Sequence, residues 1–434
     1  MFVDFVTTRS AQPLPDSLYA TTLDTPHVAR PALHGTVETE VAIVGGGFTG
    51  LSTALALARK GTDCLLLDAN LAGWGASGRN GGQINPGLKF GPDSVKRDLG
   101  EAVASFSQQA ADRLFDLVDD LGIRCEIRRG GTLRAATDTA SFAGLQALHA
   151  EANRQGIPYR LLSRAEMAST TGTERYVGGL LDPAGGQLNP LKLALGLARA
   201  AEAAGARICE NTPVMEASEQ GDGWLLSTPD GQVRARRVLF ATNGYSDALV
   251  PGLRRSVIPV FSSILASNPL PQSLADRILS EGQSLFEVGL VTTYYRVDAA
   301  RRLIFGGRGR MADAAGPAAF PMLETLARRL WPEIDDIGWS HGWNGRVALT
   351  RDHYPHLHRI GRTGWAFLGY NGRGVAMSTA MGPELAAILA GTDGHRPVFP
   401  EVPIRAVPFQ PFWPSGVLPA LAWARLRDRF ARTG

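Results

Sequence analysis

A chain of 434 residues with 44% apolar and 20% charged residues is long enough for two or three well-filled domains and has an ordinary globular composition. A formal net charge of +3 gives nucleic acid no footing, no uncharged apolar run reaches membrane-spanning length, and the opening residues MFVDFVTTRS lack a secretory leader's basic-then-apolar order. Three cysteines, Cys64, Cys125 and Cys209, show no C-x-x-C spacing and read as reduced packing residues, so a reducing, cytoplasmic setting is expected.

Residues 1–39 form a polar arm dotted with Pro13, Pro15, Pro26 and Pro31, expected to lie over the surface. Val41–Val44 is a short apolar run suited to a strand buried on both faces. Gly45, Gly47 and Gly50 then set a G-x-G-x-x-G spacing around Phe48 and Thr49, and Leu51–Arg59 is rich in alanine and leucine as a helix would be. The three glycines suit a tight turn, a close backbone approach to pyrophosphate, and close packing of helix on strand. The helix N-terminus offers N–H groups and a positive dipole end to the anion. A second strand, Cys64–Leu67, ends in Asp68, eighteen residues after Gly50 and followed by Ala69, where a carboxylate can accept from ribose hydroxyls. Together these define a Rossmann-like dinucleotide-binding unit.

The next stretch, 73–91, carries seven glycines with Arg79, Asn80 and Gln83 among them, and can bring backbone N–H groups against a planar or anionic ligand. The spacing predicts helices over 101–121, 138–155 and 191–204, and strands over 131–135, 177–181 and 206–209. A meander follows over 213–218, 224–228 and 232–240, ending in the turn Ala241-Thr242-Asn243-Gly244. Strands are then expected at 257–267, 291–297, 302–306, 339–349 and 366–369, with helices near 274–279 and 318–330. Tyr370-Asn371-Gly372-Arg373-Gly374 leads into a helix over 375–389, a second strand–glycine turn–helix arrangement. A proline-rich stretch, 397–419, precedes a basic amphipathic tail, 421–430, which reads as a solvated helix face.

Parallel-type units at both ends with a strand-rich block between imply an α/β (α+β) chain: a discontinuous Rossmann-like domain with an inserted antiparallel-sheet substrate domain. The expected boundaries are 1–90, 150–250 and 340–395 for the nucleotide domain, 91–149 and 251–339 for the substrate domain, and 396–434 for an extension.

The stretches VAIVGGGFTGLSTALALA, GWGASGRNGGQ, TTYYRVDAARRLIFGGR and GYNGRGVAMSTAMGPELAAILAG make the chain resemble the D-amino-acid-oxidase-like flavoprotein superfamily. Within it the resemblance is closest to the gamma-glutamylputrescine oxidase branch, and it runs from about Ser17 to the C-terminus. It implies bound FAD and oxidation of an amine or amino acid at the C–N bond to an imine, with O2 or another electron acceptor taking the electrons. The ADP half then falls to Gly45, Gly47, Gly50 and Asp68, and the adenine contact to Val214. The pyrophosphate and flavin run along Ala76, Ser77, Arg79, Asn80, Gly81, Gly82 and Gln83, with Thr242 and Gly244 also at the cofactor. The pyrimidine edge meets Asn371, Gly372, Arg373 and Gly374.

Relatives that bind flavin covalently use a cysteine near the Gly345–Arg346 region or a histidine in the loop after the first βαβ unit. Neither residue type stands there, so FAD is expected to be non-covalent. Sarcosine oxidases activate oxygen with a lysine beside the flavin, and no lysine follows Lys192, which leaves the acceptor open. Arg373 and the helix beside it are expected to stabilise negative charge on reduced flavin. Arg346 and Arg296 are candidate carboxylate clamps, because a guanidinium pairs bidentately with a carboxylate. Tyr294 and Tyr295 alternate across a strand, so only one faces the cavity, with Tyr295 favoured; Trp343 is expected in the core. His353, His356 and His358 lack a metal-ligand spacing, so no metal is expected. A dehydrogenase using a quinone or carrier, and a flavin-binding subunit without turnover, are the alternatives.

Overall fold

The computed structural model describes residues 12–289 and 293–410. The expected basic tail, the first eleven residues of the arm and the start of the strand predicted at 291–297 lie outside the described residues.

Strand Gly35–Val44 is the centre of the first sheet. Its last four residues are all buried, because Val41 and Ile43 face one core while Ala42 and Val44 face another. It pairs in parallel with Cys64–Leu67 on one side and with Gly231–Phe240 on the other. Arg207–Cys209 and Gly364–Leu368 extend these two pairings outward, also in parallel, and His356–Ile360 closes the edge as an antiparallel hairpin arm. Strands Glu216–Gln220 and Gly223–Thr228 attach to Gly231–Phe240 as the expected meander. The first of these begins later than predicted, after Pro213, which has no N–H to give to a ladder. Helices Phe48–Arg59, Pro190–Ala203 and Gly374–Ala390 share the first core. Asn189 caps the second of them through its side chain, and Pro190 occupies the first helical position.

The second sheet has eight strands in the order Trp339–Leu349, Ile258–Pro269, Arg302–Arg308, Tyr294–Val297, Ser284–Glu287, Thr132–Ala136, Gly178–Asp182 and Arg160–Ser163. All of its pairings are antiparallel except Ser284–Glu287 with Thr132–Ala136. Its outer face packs Leu133, Leu285, Tyr295, Phe305 and Trp331 into a separate core with helix Pro321–Leu330.

Segments are shared between the sheets differently from the expected boundaries. Residues 160–182 and 339–349 supply strands to the second sheet, whereas helices Pro92–Leu99, Glu101–Gln108 and Ala110–Leu121 pack in the first core, the last against Gly374–Ala390. The helix predicted over 101–121 carries one irregular residue, Gln109. The hydrogen bonds Gln109 N–H to Ser105 O and Arg113 N–H to Gln109 O carry the helical path across it.

Candidate active site

The two sheets enclose a cavity of about 1030 Å³ whose floor is built from the glycine corners of the first and whose roof is the inner face of the second. At its near end Gly45 has a φ of +114° and passes Ala241 O so closely that a Cβ would come within 2.8 Å. A Cβ on Gly50 would lie 2.0 Å from Gly45 O, which is how the helix comes down onto the strand. Gly47, in extended conformation, precedes helix Phe48–Arg59 and has no side chain of its own with which to cap it. Its first N–H, on Phe48, donates to Ser77 Oγ at 2.9 Å, tying the corner to the next glycine loop. Asp68 lies on the wall at the end of Cys64–Leu67 and accepts from Gly46 N–H at 2.5 Å and Asn70 N–H at 2.7 Å. Burial nevertheless pushes its carboxyl up to about 6, with the charge of Glu210 adding to the effect and the two N–H groups opposing it. Ala69, Val214 and Thr242 complete this end, and Thr49 reaches Tyr370 across the floor, hydroxyl to hydroxyl at 2.6 Å.

Ala76, Ser77, Arg79, Asn80, Gly81 and Gln83 line the middle. Asn80 closes the loop on itself, donating to Ala76 O and Ser77 O and accepting from Gly82 N–H. Arg79 lies over the Trp74 ring at 4.2 Å and donates to Trp74 O. At the far end Asn371, with φ +54°, and Gly372, with φ +84°, turn the chain into helix Gly374–Ala390, which has no side-chain cap. The Asn371 side chain holds this turn by accepting from Thr350 N–H at 3.0 Å and donating to Gly369 O.

Three expected cofactor residues stand behind the wall rather than on it. Gly50 and Gly82 serve close packing, Gly82 against Leu188 O, and Gly244 backs onto Ala348 and Arg346.

The candidates for substrate contact are rearranged. Tyr295 does not face the cavity: it is fully buried in the second core, stacked on Phe305 and edge-on to Trp331 at 4.9 Å. Strand alternation puts Tyr294 on the cavity side instead. Its ring slides between Gly81 and Gly306, where a Cβ would come within 2.6 and 2.1 Å, and its hydroxyl meets Ser262 Oγ at 2.8 Å. We expect Tyr294→Phe to lower kcat/KM roughly fivefold, the value of one hydrogen bond of about 1 kcal/mol, and Tyr295→Phe to leave it unchanged. Steady-state kinetics on the two variants check this; equal losses would refute the distinction, and a larger loss for Tyr295→Phe would reverse it.

Arg296 is not a clamp either, since its guanidinium is spent inside the protein on Gly81 O, Gln187 Oε1 and the Tyr19 hydroxyl. Arg346 does line the cavity, between the Tyr245 ring at 5.0 Å and the Phe261 ring at 5.7 Å, with Asp313 3.8 Å from its Nη2. Arg373 turns its guanidinium toward the roof, donating to Pro86 O at 2.9 Å and lying 5.4 Å from the Phe286 ring. Burial, then Arg134, brings it down to about 9, so at neutral pH it is still a cation. Gly374 and Val375, at the start of the helix, line the cavity beside it. Trp343 is a core residue, as expected, and donates to Arg79 O. His356 pairs with Asp352 and His358 with Val402 O. Lys89 and Arg308, passed over in the sequence, also line the cavity. Lys89 follows Gln83 in the same glycine loop, and Arg308 ends the FGGR run.

The two helix starts, the glycine cradle and a terminal acid on one continuous wall fit a long dinucleotide, and the wall's described residues include neither cysteine nor histidine. Both features suit an FAD held without a covalent bond. The fold and site define a dinucleotide-binding oxidoreductase with a sheet laid over its cofactor.

The model of the family DAO, FAD dependent oxidoreductase, matches residues 40–388, and the chain belongs to that family. The "Probable oxidoreductase OrdL" of Rhizobium meliloti is 33% identical over 416 residues, covering 92% of this chain and 94% of that protein. The gamma-glutamylputrescine oxidoreductase of Escherichia coli is 29% identical over 409 residues, with the same coverage of 92% and 94%. Among solved structures, glycine oxidase from Geobacillus kaustophilus superposes with a TM-score of 0.74 at 23% identity, covering 86% of this chain and 99% of its own. The protein is an FAD-dependent oxidoreductase. Among the described residues no helix is long and apolar enough to cross a membrane.

Proposed function

We propose that this enzyme oxidises the C–N bond of an amine or amino acid to an imine. The substrate is a γ-glutamylated polyamine or a secondary or N-substituted amino acid, and O2 takes up the electrons with release of H2O2. The observation that carries this reading is the single cavity running from Asp68 to Arg373, with room over its far half under Tyr294 and Phe286. The names of the relatives, gamma-glutamylputrescine oxidoreductase and glycine oxidase, support the C–N donor. When bound, FAD supplies hydride acceptance at its N5.

The chain's own residues do the rest. The corner at Gly45 and Gly47 and the loop at Ser77 and Asn80 fix the cofactor lengthwise, and Tyr294 and Phe286 roof the reacting end against water. The start of helix Gly374–Ala390 lines the cavity and would offer its positive dipole end to negative charge on a flavin bound there. Three thiols in no disulfide support a cytoplasmic setting.

The test is an anaerobic bleaching screen of the yellow holoenzyme against secondary amines, diamines and amino acids, followed by admission of air. Bleaching and then peroxide supports the reading. Bleaching without peroxide favours a dehydrogenase serving a quinone or carrier, and no bleaching by any amine favours a flavin-binding subunit.

A pH effect on cofactor uptake follows from Asp68. Ribose hydroxyls donate to its ionised form, so binding lowers its pKa from about 6 and expels a proton below that pH. FAD affinity therefore rises with pH through about 6 and is roughly tenfold weaker at pH 5 than at pH 7.5. Fluorescence titration of deflavinated protein checks this. Asp68→Asn removes the pH dependence, and an equal affinity of the parent protein at both pH values would refute it.

A further inference from the structure

The glycine loop along the middle of the cavity is held from behind by its carbonyls. Trp343 Nε1 donates to Arg79 O at 2.9 Å, Arg296 Nε to Gly81 O at 2.7 Å, and Leu188 N–H to Gly82 O at 2.8 Å. Arg79 and Gly81 line the cavity, but none of the three donors does, so the oxygens are drawn away from the space an anion must enter.

Of the three donors only Arg296 is charged. It leaves strand Tyr294–Val297 on the same side as Tyr294, whose ring lies against Gly81. The rest of its guanidinium is used on Gln187 Oε1 at 3.0 Å and on the Tyr19 hydroxyl at 3.2 Å. Both partners are themselves fixed. Gln187 Nε2 donates to Gly282 O and Gln283 O, and the Tyr19 ring meets Trp343 edge-on at 5.0 Å.

Arg296 is therefore a cation only 3% exposed whose acceptors are all neutral. Among the described residues no carboxylate pairs with it. Asp298, two positions along, accepts from Ala300 N–H and Arg302 N–H and faces the Arg302 guanidinium at 3.9 Å. Glu126 is taken by Lys192 at 2.8 Å. Tyr19 stays an uncharged hydroxyl, because burial raises it. Burying a charge without a counter-ion is costly, and packing alone would be served as well by a neutral side chain. The negative charge such a cation can answer is the one that the cofactor takes up on reduction.

We propose that Arg296 is a positioning residue for the cofactor: it holds Gly81 O out of the cavity, and its unneutralised charge favours the reduced, negatively charged flavin. It acts through the loop and from behind the wall. The inference rests on the chain being an FAD-dependent oxidoreductase and on nothing about the electron donor, so every amine could fail to bleach the flavin and leave it standing.

Three variants separate the bond from the charge. Arg296→Met has neither, Arg296→Gln can still donate to Gly81 O but is neutral, and Arg296→Lys keeps the charge on a single donor group. Each holoenzyme is reduced slowly with dithionite, without air, beside a reference dye. The spectra give the ratio of reduced to oxidised flavin at a fixed dye potential, with no substrate present. That ratio is expected to fall about tenfold in Arg296→Met and Arg296→Gln and to stay within about twofold of the parent in Arg296→Lys, as one unit charge acting through a layer of protein would have it. Oxidised FAD is expected to bind about fivefold more weakly to Arg296→Met, the worth of one hydrogen bond, with Arg296→Gln recovering part of the loss.

A variant that sheds flavin during purification is titrated with oxidised and with dithionite-reduced FAD, whose two affinities give the same ratio by linkage. Should Arg296→Met fail to fold, Arg296→Gln against Arg296→Lys decides. A ratio in Arg296→Gln equal to the parent's overturns the proposal, and so does an equal fall in Arg296→Gln and Arg296→Lys. A residue that merely props the loop would weaken both oxidation states alike and leave the ratio where it was.

Discussion

Gly50→Ala is expected to yield a folded protein that has largely lost FAD. The added methyl would lie 2.0 Å from Gly45 O and 3.2 Å from Ile43 Cγ2. The oxygen is main chain and cannot swing aside, so helix Phe48–Arg59 must move off strand Gly35–Val44. Overpacking strain of this kind costs about 1–3 kcal/mol. Here it falls on the N–H groups that must approach a pyrophosphate, which makes the loss in affinity roughly five- to a hundredfold. Titration of deflavinated protein with FAD gives the affinity, and far-ultraviolet circular dichroism shows whether the fold is retained. Stoichiometric flavin in the purified variant would mean that the helix start is not the anchor.

The second large effect is expected on stability. Glu210 is fully buried beside the nucleotide corner and accepts four ways: from Ala72 N–H and Arg30 N–H at 2.7 Å, from Arg30 Nη1 at 3.0 Å and from His27 Nε2 at 3.0 Å. Burial alone would raise its carboxyl, yet His27 and the two N–H groups outweigh that and hold it below the usual carboxylate range. A depressed folded-state value contributes stability above the unfolded value, and that contribution is lost as pH falls through the folded one. Glu210→Ala strands the four donors and is expected to cost about 3–5 kcal/mol. Glu210→Gln should recover part of it and remove the acid-dependent portion. Thermal unfolding at pH 7 and pH 4 reads both; midpoints within a degree of the parent at pH 7 would show that the cluster holds nothing together.

Local chemistry was readable wherever a few adjacent residues settle the geometry. The run from Val41 to Asp68 announces strand, corner, helix and strand, and the side chains of Asp138 and Asn189 cap helices as their positions suggest. Helix Arg164–Thr171, absent from the expected elements, starts at a capping box of Ser163 and Glu166 that is just as local a signal. Strands Arg160–Ser163 and Ser284–Glu287 are absent from the expected elements for a different reason: four residues long, they owe their existence to partners elsewhere in the chain.

The Tyr294 and Tyr295 question shows the limit most clearly. Alternation says that the two point oppositely, but which face meets the cofactor depends on the pairing of this strand with Arg302–Arg308 and on where helix Pro321–Leu330 lies. Arg296 likewise becomes internal only because Gly81 O, Gln187 and Tyr19 converge on it from three distant segments. The glycines around Lys89 mark a ligand loop in the sequence, but the direction of one side chain leaving it depends on contacts that a one-dimensional pattern does not carry.

The arm that precedes the first strand has its own consequence for how the molecule is made. Tyr19 rests against Trp343 and Arg296, and the Thr21 hydroxyl meets His341. Residues 19–21 therefore wait for partners some 320 positions further along the chain, and the far turn of the floor comes later still, at Asn371–Gly374. A chain made only as far as its glycine corner has no second wall to set against it, and the cavity closes only when Asn371–Gly374 have joined. Such long-range closure folds slowly and leaves apolar sheet faces open meanwhile.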